Sequence, residues 1–308
     1  MRVALIVNPV ATRSGRTLRA EATELLAQHG LAEVLVTRAS GEAAALAALA
    51  AGSGVDLVVA LGGDGTVADA AGALVDGPVA LAPIPAGSTN VFARALGWPS
   101  SPRRALAALE AALERPHRRT LILGRLEAGE HRRVFCVNAG IGLDAETVHL
   151  VEARPALKRA LRQGGFALAT VAATGRTARH PNRLAVSVDG EGPQWLVSLA
   201  AACGRPYAYL GRRPLDLVPG AGFDGTLAWT GLRTARATTV ARVVGGALAG
   251  GRHIDSPAVA HGVAARSILV RAEHPAPLQA DGEALGWHSG VLLAPGPTLA
   301  TLAPPRLK

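Results

Sequence analysis

Gly62-Gly63-Asp64-Gly65-Thr66 sets one carboxylate and one hydroxyl among three glycines. Without a Cβ, glycine lets the backbone turn sharply and come close to a ligand. A helix starting just after this loop would add unpaired N–H groups and a positive dipole end, which suit a phosphate. Asp64 is not attracted to a phosphate, so its place there points to a bridging metal ion or to a proton or hydroxyl partner. The plainer reading of the same residues is a tight strand-to-helix turn with Asp64 as N-cap. A second loop, Pro85-Ala86-Gly87-Ser88-Thr89-Asn90, offers flexible backbone, two hydroxyls and an amide, with Arg94 one turn on. Two such loops on one sheet edge argue against an accidental turn. A third polar stretch, Asn8 followed by Thr12, Ser14 and Gly15, can also donate N–H groups to an anion. Taken alone it is an ordinary strand-to-helix turn.

The elements that must hold these loops are legible as alternating apolar runs and helical patterns. Strands are expected at Val3 to Val7, Ala32 to Thr37, Leu57 to Leu61 and Pro78 to Ile84. Helices are expected at Arg16 to Gln28, Glu42 to Ala51, Thr66 to Leu74 and Ser101 to Glu114. That alternation implies a parallel α/β sheet, and sites in such sheets lie at the carboxyl ends of the strands. Beyond about Thr120 the pattern changes. Thr120 to Leu126 and Arg133 to Asn138 read as a hairpin, Asn138 to Asp144 as a glycine-loosened turn into a helix, and Ala156 to Arg179 as mostly helical. Strands then alternate with turns at Asp189-Gly190, Gly204-Arg205-Pro206, Gly211-Arg212-Arg213 and Asp224-Gly225, and a short strand Pro277 to Ala280 runs into Asp281-Gly282-Glu283. The expected fold is an N-terminal parallel α/β nucleotide-binding domain over 1–120 and a mostly antiparallel β domain over 121–294. An apolar tail, about 295–308, is able to return to the first domain.

The chain has 308 residues, 49% hydrophobic and 18% charged, with 32 Lys+Arg against 23 Asp+Glu and a formal charge of +9. That excess favours acidic partners such as nucleotides or anionic lipid head groups; a basic surface kept for solubility is the plainer alternative. Lys158, Arg159 and Arg162, within about one helical turn of one another, are candidates for an anionic membrane surface. Aromatics are only 3%, too few for the stacking that nucleic-acid binding uses, so no nucleic-acid partner is expected. Cys136 and Cys203 lack metal spacing and read as buried thiols of a reducing compartment. Neither an export signal nor an apolar run of about 18 residues is evident. The expectation is a cytoplasmic protein that meets the inner membrane surface peripherally.

G-G-D-G-T at 62–66, P-A-G-S-T-N at 85–90, N-A-G-I-G-L-D at 138–144 and D-G-E at 281–283 stand in one order along the chain. Together they resemble the catalytic domain of diacylglycerol kinases and the related bacterial lipid kinases and sphingosine kinases. The resemblance implies a two-domain fold with ATP in the cleft between domains. It implies that Asn8, Thr37, Gly62, Gly63, Asp64, Gly65, Thr66, Val67, Ala68 and Thr89 line the nucleotide site, and that Glu283 is the general base. Gly87, Ser88 and Asn90 join the nucleotide candidates through their own loop chemistry. The Asp224 turn resembles a structural magnesium site with Asp224 as side-chain ligand and the carbonyls of Ala221 and Thr226 nearby; a plain hairpin turn is the alternative.

The chain also departs from the family pattern. Ala68, Asp69, Gly72 and Ala73 replace an Asn-Glu pair and a later Asn-Gly, Ser88 replaces Thr, and Val91 replaces Asp. Bulky residues around Gly204 to Tyr207 replace a glycine cluster. The chemistry is still complete: glycine loops for the phosphates, Asp64 for a catalytic magnesium, and Glu283 to take the proton of an attacking hydroxyl. The implied activity is an ATP- and Mg²⁺-dependent kinase acting on diacylglycerol or a related lipid alcohol, with a homodimer left open. The alternatives are a kinase of NAD or another small molecule, and a catalytically silent nucleotide-binding regulatory protein.

Overall fold

The computed structural model describes residues 1–153, 170–179 and 182–305. The chain forms two compact units, Met1–Ile122 with Pro297–Lys308, and Leu123–Gly296. Lys158, Arg159 and Arg162 lie outside the described residues.

The first unit alternates β1 (Val3–Val7), α1 (Arg16–Ala27), β2 (Leu31–Val36), α2 (Glu42–Gly52), β3 (Leu57–Gly62), α3 (Asp64–Leu74), β4 (Ala80–Pro85), α4 (Val91–Ala95) and α5 (Pro102–Glu114). β1 pairs in parallel with both β2 and β3, and β3 with β4. On the other side of β4, Thr301 of the returning segment pairs in parallel with Leu81. β1 and β3 are buried along their whole length, as strands covered on both faces must be. β2 alternates between half-buried and exposed, which fits its place at the sheet edge. The helices bury stripes of small and branched side chains, Leu18, Ala22 and Leu26 on α1 and Ala43, Ala47 and Ala50 on α2, at the spacing of one helical face. Because β1, β3 and β4 are neighbours and parallel, Asn8, Gly62-Gly63 and Ala86-Gly87 all follow carboxyl ends on one sheet edge.

One expectation is corrected here. α3 begins at Asp64, not Thr66, and its N-cap residue is Gly63 in extended conformation. Asp64 is therefore the first helical residue and not the N-cap; a carboxylate there still complements the helix dipole.

The second unit begins within β5 (Arg118–Ala128), at Leu123, and continues through β6 (His131–Phe135), β7 (Asn138–Gly142), α6 (Leu143–Glu152), β8 (Leu184–Val188), β9 (Gln194–Leu196), β10 (Ser198–Ala202), β11 (Ala208–Leu210), β12 (Arg213–Leu215) and β13 (Leu227–Leu232). The helix Ala237–Leu248, β14 (Val259–Ala265), β15 (Ile268–Ala280) and most of β16 (Glu283–Leu302) complete it. The strands run β14-β13-β10-β7-β15 with antiparallel pairing throughout. β15 also pairs with β8 through Ile268–Ala272 and with β16 in a hairpin closed by the Ala280–Glu283 pair. Asp281 and Gly282 form its two-residue tip, at φ 49 and φ 80; Asp-Gly is the pairing such a tip favours, since both central residues need positive φ. The expected fold class therefore holds: a parallel α/β unit and a mostly antiparallel β unit.

One local expectation in this unit fails. Asn138–Gly142 is a strand between β10 and β15, not a turn. Its glycine serves the packing, because a Cβ on Gly140 would meet Asp144 Oδ2 at 2.1 Å. The helix Ala237–Leu248, for which the sequence analysis named no element, forms despite the β-branched Thr238, Thr239 and Val240, with Val240 and Val243 packed into a cluster with Leu143, Leu150 and Leu232. Cys136 and Cys203 are free and buried, as expected.

Candidate active site

In the first unit the two glycine loops are locked together. A Cβ on Gly87 would lie 2.7 Å from Gly63 Cα, so the backbones touch where neither residue has a side chain. Asp64 then ties them chemically. Its Oδ2 accepts the Thr89 hydroxyl at 2.8 Å and its Oδ1 accepts the Phe92 N–H at 3.4 Å. Burial raises the Asp64 carboxyl above the usual carboxylate range, and the bonds from Thr89 and Phe92 oppose that rise. The hydroxyl partner anticipated for Asp64 is thus Thr89.

The remaining nucleotide candidates divide into shaping groups and open groups. Asn90, at φ 51, exchanges two bonds with Gly87: its Oδ1 accepts from Gly87 N at 2.8 Å and its Nδ2 donates to Gly87 O at 2.9 Å. Asn8 Nδ2 donates to Thr66 Oγ1 at 2.8 Å, and Thr66 covers Gly62, whose Cβ would meet it at 2.5 Å. Thr37 is buried and donates its N–H to Val7 O at 2.9 Å. Val67 is buried, Ala68 half-buried and Ser88 exposed. Gly65 is exposed, has no atom within 4 Å of a built Cβ, and keeps negative φ. Nothing in the fold requires glycine at 65. The first N–H groups of α3, those of Asp64, Gly65 and Thr66, have no intrahelical acceptor, and a missing side chain at 65 leaves access to them.

Arg13 escaped sequence reasoning. Its Nε and Nη2 both donate to Gly87 O, and its Nη1 donates to Ser100 O at 3.1 Å. The only signal was its place among the polar residues that follow β1.

In the second unit the Asp281-Gly282-Glu283 tip is anchored from below. The Asp281 carboxylate accepts three backbone N–H groups, from Cys136 at 2.6 Å, Val137 at 2.8 Å and Asn138 at 3.1 Å. Gly282 N–H donates to Gln279 Oε1 at 2.9 Å. Gln279 in turn donates through Nε2 to Asn138 Oδ1, Asp144 Oδ2 and the Tyr207 hydroxyl at 2.8 to 3.0 Å. Tyr207 donates its hydroxyl to Asp144 Oδ2 at 2.6 Å. The N-A-G-I-G-L-D stretch and the D-G-E stretch are therefore one construction. Burial raises the Asp144 carboxyl against the bonds from Tyr207 and Gln279, and burial followed by the Asp144 charge raises the Tyr207 phenol well above its usual range. Gln279 carried no sequence signal, and Tyr207 was marked only as one of the bulky residues that replace a glycine cluster. Glu283 points out from this base, its side chain 52% exposed, and pairs with Arg133.

The Asp224 turn closes on itself: Asp224 Oδ1 accepts Thr226 N–H at 3.1 Å and Thr226 Oγ1 at 2.8 Å. Asp224 is exposed and Ala221 buried. Among the described residues no three His, Cys, Asp or Glu side chains gather as a metal cluster. A single carboxylate still suits magnesium that arrives with phosphates and waters as its other ligands. Asp64 stands beside the glycine loops and accepts hydrogen bonds on both oxygens, whereas the Asp224 bonds to Thr226 both fall on Oδ1.

Residues 2–121 match the family model of the diacylglycerol kinase catalytic domain, and residues 137–303 match that of the YegS C-terminal NAD kinase beta sandwich-like domain. A protein named "Probable lipid kinase YegS-like" from Stenotrophomonas maltophilia is 35% identical over 150 residues, 47% of this chain and 47% of that protein. One of the same name from Chromohalobacter salexigens is 35% identical over 184 residues, 58% of this chain and 55% of that protein. The chain thus spans about half the length of the curated relatives it matches. A crystal structure of a diacylglycerol kinase from Bacillus anthracis str. Sterne aligns at TM-score 0.69 and 23% identity over 100% of this chain and 98% of that one, a likeness of fold.

Proposed function

Because this chain belongs to the family that joins a diacylglycerol kinase catalytic domain to a YegS C-terminal domain, we propose that it transfers the γ-phosphate of ATP to the hydroxyl of a lipid alcohol, with diacylglycerol the first acceptor to test. The observation that carries this reading is the exposed Glu283 carboxylate on a tip whose neighbour, Asp281, is held by three backbone N–H groups. A base that must meet a substrate hydroxyl needs both exposure and a fixed stem.

The glycine loops hold the phosphates through backbone N–H groups, and Gly65 leaves the approach open. Asp64 is the carboxylate nearest the glycine loops and would have to give up its bond from Thr89 or Phe92 to meet magnesium, which when bound would neutralise phosphate charge. Glu283 accepts the proton of the attacking hydroxyl. The family names in the relatives support a lipid acceptor, while the sandwich description of the second unit places NAD in the same acceptor panel. The decisive assay is labelled ATP against lipid extracts, diacylglycerol and NAD, with products resolved by mass. Product in the lipid arm supports the proposal. Product in the NAD arm alone moves the activity to a small-molecule kinase, and ATP binding with no transfer leaves a regulatory protein.

We further propose docking on an anionic membrane surface, supported by the +9 charge. Among the described residues no helix is long and apolar enough to cross a membrane. Sedimentation with phosphatidylglycerol vesicles at low salt tests it, and a protein that stays in the supernatant there overturns it.

A further inference from the structure

We propose that Arg133 positions Glu283 before transfer and, after transfer, binds the phosphate that the acceptor has gained. The inference rests on Glu283 being the general base.

Arg133 lies on β6 and its Nη2 pairs with Glu283 Oε2, the two side chains 30% and 52% exposed. An ion pair this exposed adds little to stability. Its consequence is local, in where the carboxylate points. β6 runs directly into residues 136–138, whose N–H groups hold Asp281. One short segment, Arg133 to Asn138, therefore grips the tip twice, through backbone at Asp281 and through a side chain at Glu283.

Other ionisable groups stand at this tip. His131 sits two residues before Arg133, on the same strand face, with its ring edge-on to His288 of β16 at 5.4 Å. Glu152 of α6 accepts the Ala284 N–H at 3.2 Å, and Asp281 lies in the tip itself. In that group Arg133 carries the permanent positive charge.

The reaction changes what this charge sees. As the acceptor O–H bond breaks, its proton passes to a Glu283 oxygen. The freed oxygen pair forms a bond to the γ-phosphorus, and the bond from that phosphorus to the bridging oxygen breaks, its pair leaving on ADP. Glu283 is then neutral and no longer an ion-pair partner. An acceptor oxygen within about 2.6–3.2 Å of Glu283 stands close to the guanidinium that pairs with the same carboxylate. The new phosphate then joins Asp281 and Glu152 as an anion at the tip, and its oxygens match a planar, bidentate donor.

Two measurements on Arg133→Ala, Arg133→Lys and Glu283→Gln test this, with thermal midpoints run alongside. In steady-state kinetics with diacylglycerol micelles, Arg133→Ala should lose about 10²-fold in kcat, the scale of a misplaced catalytic group, with KM for ATP unchanged. Arg133→Lys should recover part of it. In calorimetry with soluble dihexanoyl phosphatidic acid, which needs no turnover, Arg133→Ala should bind about tenfold more weakly and Glu283→Gln more tightly, since glutamine does not compete for the guanidinium. Wild-type kcat and wild-type phosphatidic acid affinity in Arg133→Ala overturn the proposal while leaving Glu283 as base. A lowered kcat with unchanged affinity, or a wild-type protein that binds no phosphatidic acid, removes the product-binding half. Glu283→Gln at wild-type rate removes the base and this proposal with it. If Arg133→Ala misfolds, Arg133→Lys decides: no change in either measurement counts against the proposal.

Discussion

The Thr89 hydroxyl donates to Asp64 Oδ2 at 2.8 Å, so the second glycine loop is fastened to the first residue of the helix that follows the first loop. Asp64→Asn keeps an acceptor for Thr89 and removes the charge. The variant should fold with an unchanged or slightly higher thermal midpoint, because burial works against the carboxylate there, and it should lose phosphoryl transfer. Activity measured across magnesium concentrations checks this; activity near wild type would remove Asp64 from the mechanism.

Gly65 separates fold from function. Its Cβ would meet nothing within 4 Å and its φ is not left-handed, so Gly65→Ala should stabilise the protein by about 0.4–1 kcal/mol through the unfolded chain. The same change should weaken ATP binding by calorimetry. Gly87→Ala should instead destabilise by about 1–3 kcal/mol, because its Cβ would meet backbone at Gly63 and the Asn90 amide. Equal ATP affinity for Gly65→Ala and wild type would mean that the nucleotide does not approach position 65.

Asp281 and Glu283 should part company under mutation. Glu283→Gln should keep ATP affinity and lower kcat by about 10²–10⁴-fold, the range for losing a general base. Asp281→Asn puts an amide against three backbone donors, so its main effect should be a lower thermal midpoint, with charge-assisted bonds of about 1.5–3 kcal/mol at stake. A larger kcat loss at Asp281 than at Glu283, with the fold intact, would move the base to Asp281.

The Asp144 network predicts a pH dependence with a definite sign. Burial raises the Asp144 carboxyl in the folded protein. A raised folded pKa gives stability that is fully present below about pH 4, the unfolded value, and is lost as pH rises through the folded value. Asp144→Asn should therefore match or exceed wild type in thermal midpoint at pH 7 and fall behind it on acidification. A midpoint difference that is flat with pH would show that Asp144 does not titrate between the two states. Tyr207→Phe should cost about 1–3 kcal/mol at pH 7, because it takes a donor from Asp144 and an acceptor from Gln279 in a buried site.

Much of the first unit was legible because its strands are apolar runs ended by glycine or proline, and buried parallel strands leave that trace. β1 was placed to the residue, and α1 and β3 to within one. The D-G-E tip was legible as a turn because Asp-Gly is local chemistry. The partners of that tip were not. Arg133 stands 150 residues before Glu283, Gln279 lies 135 after Asp144, and Tyr207 lies 63 after it; no local pattern encodes such pairs. Asn138–Gly142 was misread because its glycines, which serve close packing against Asp144 and Val197, look like loop residues when the neighbours are unseen.

The anchoring of Asp281 also sets a timetable for synthesis. The three N–H groups at 136–138 meet their acceptor 143 to 145 residues later in the chain. At about 5–20 residues per second they wait roughly 7–30 s on the ribosome. During that interval the residues of the first unit have been made except the returning segment, while the second has no D-G-E tip to hold. A nascent chain paused before residue 281 would carry the glycine loops without Glu283, so if the proposed function holds, nucleotide binding should appear on the ribosome before phosphoryl transfer.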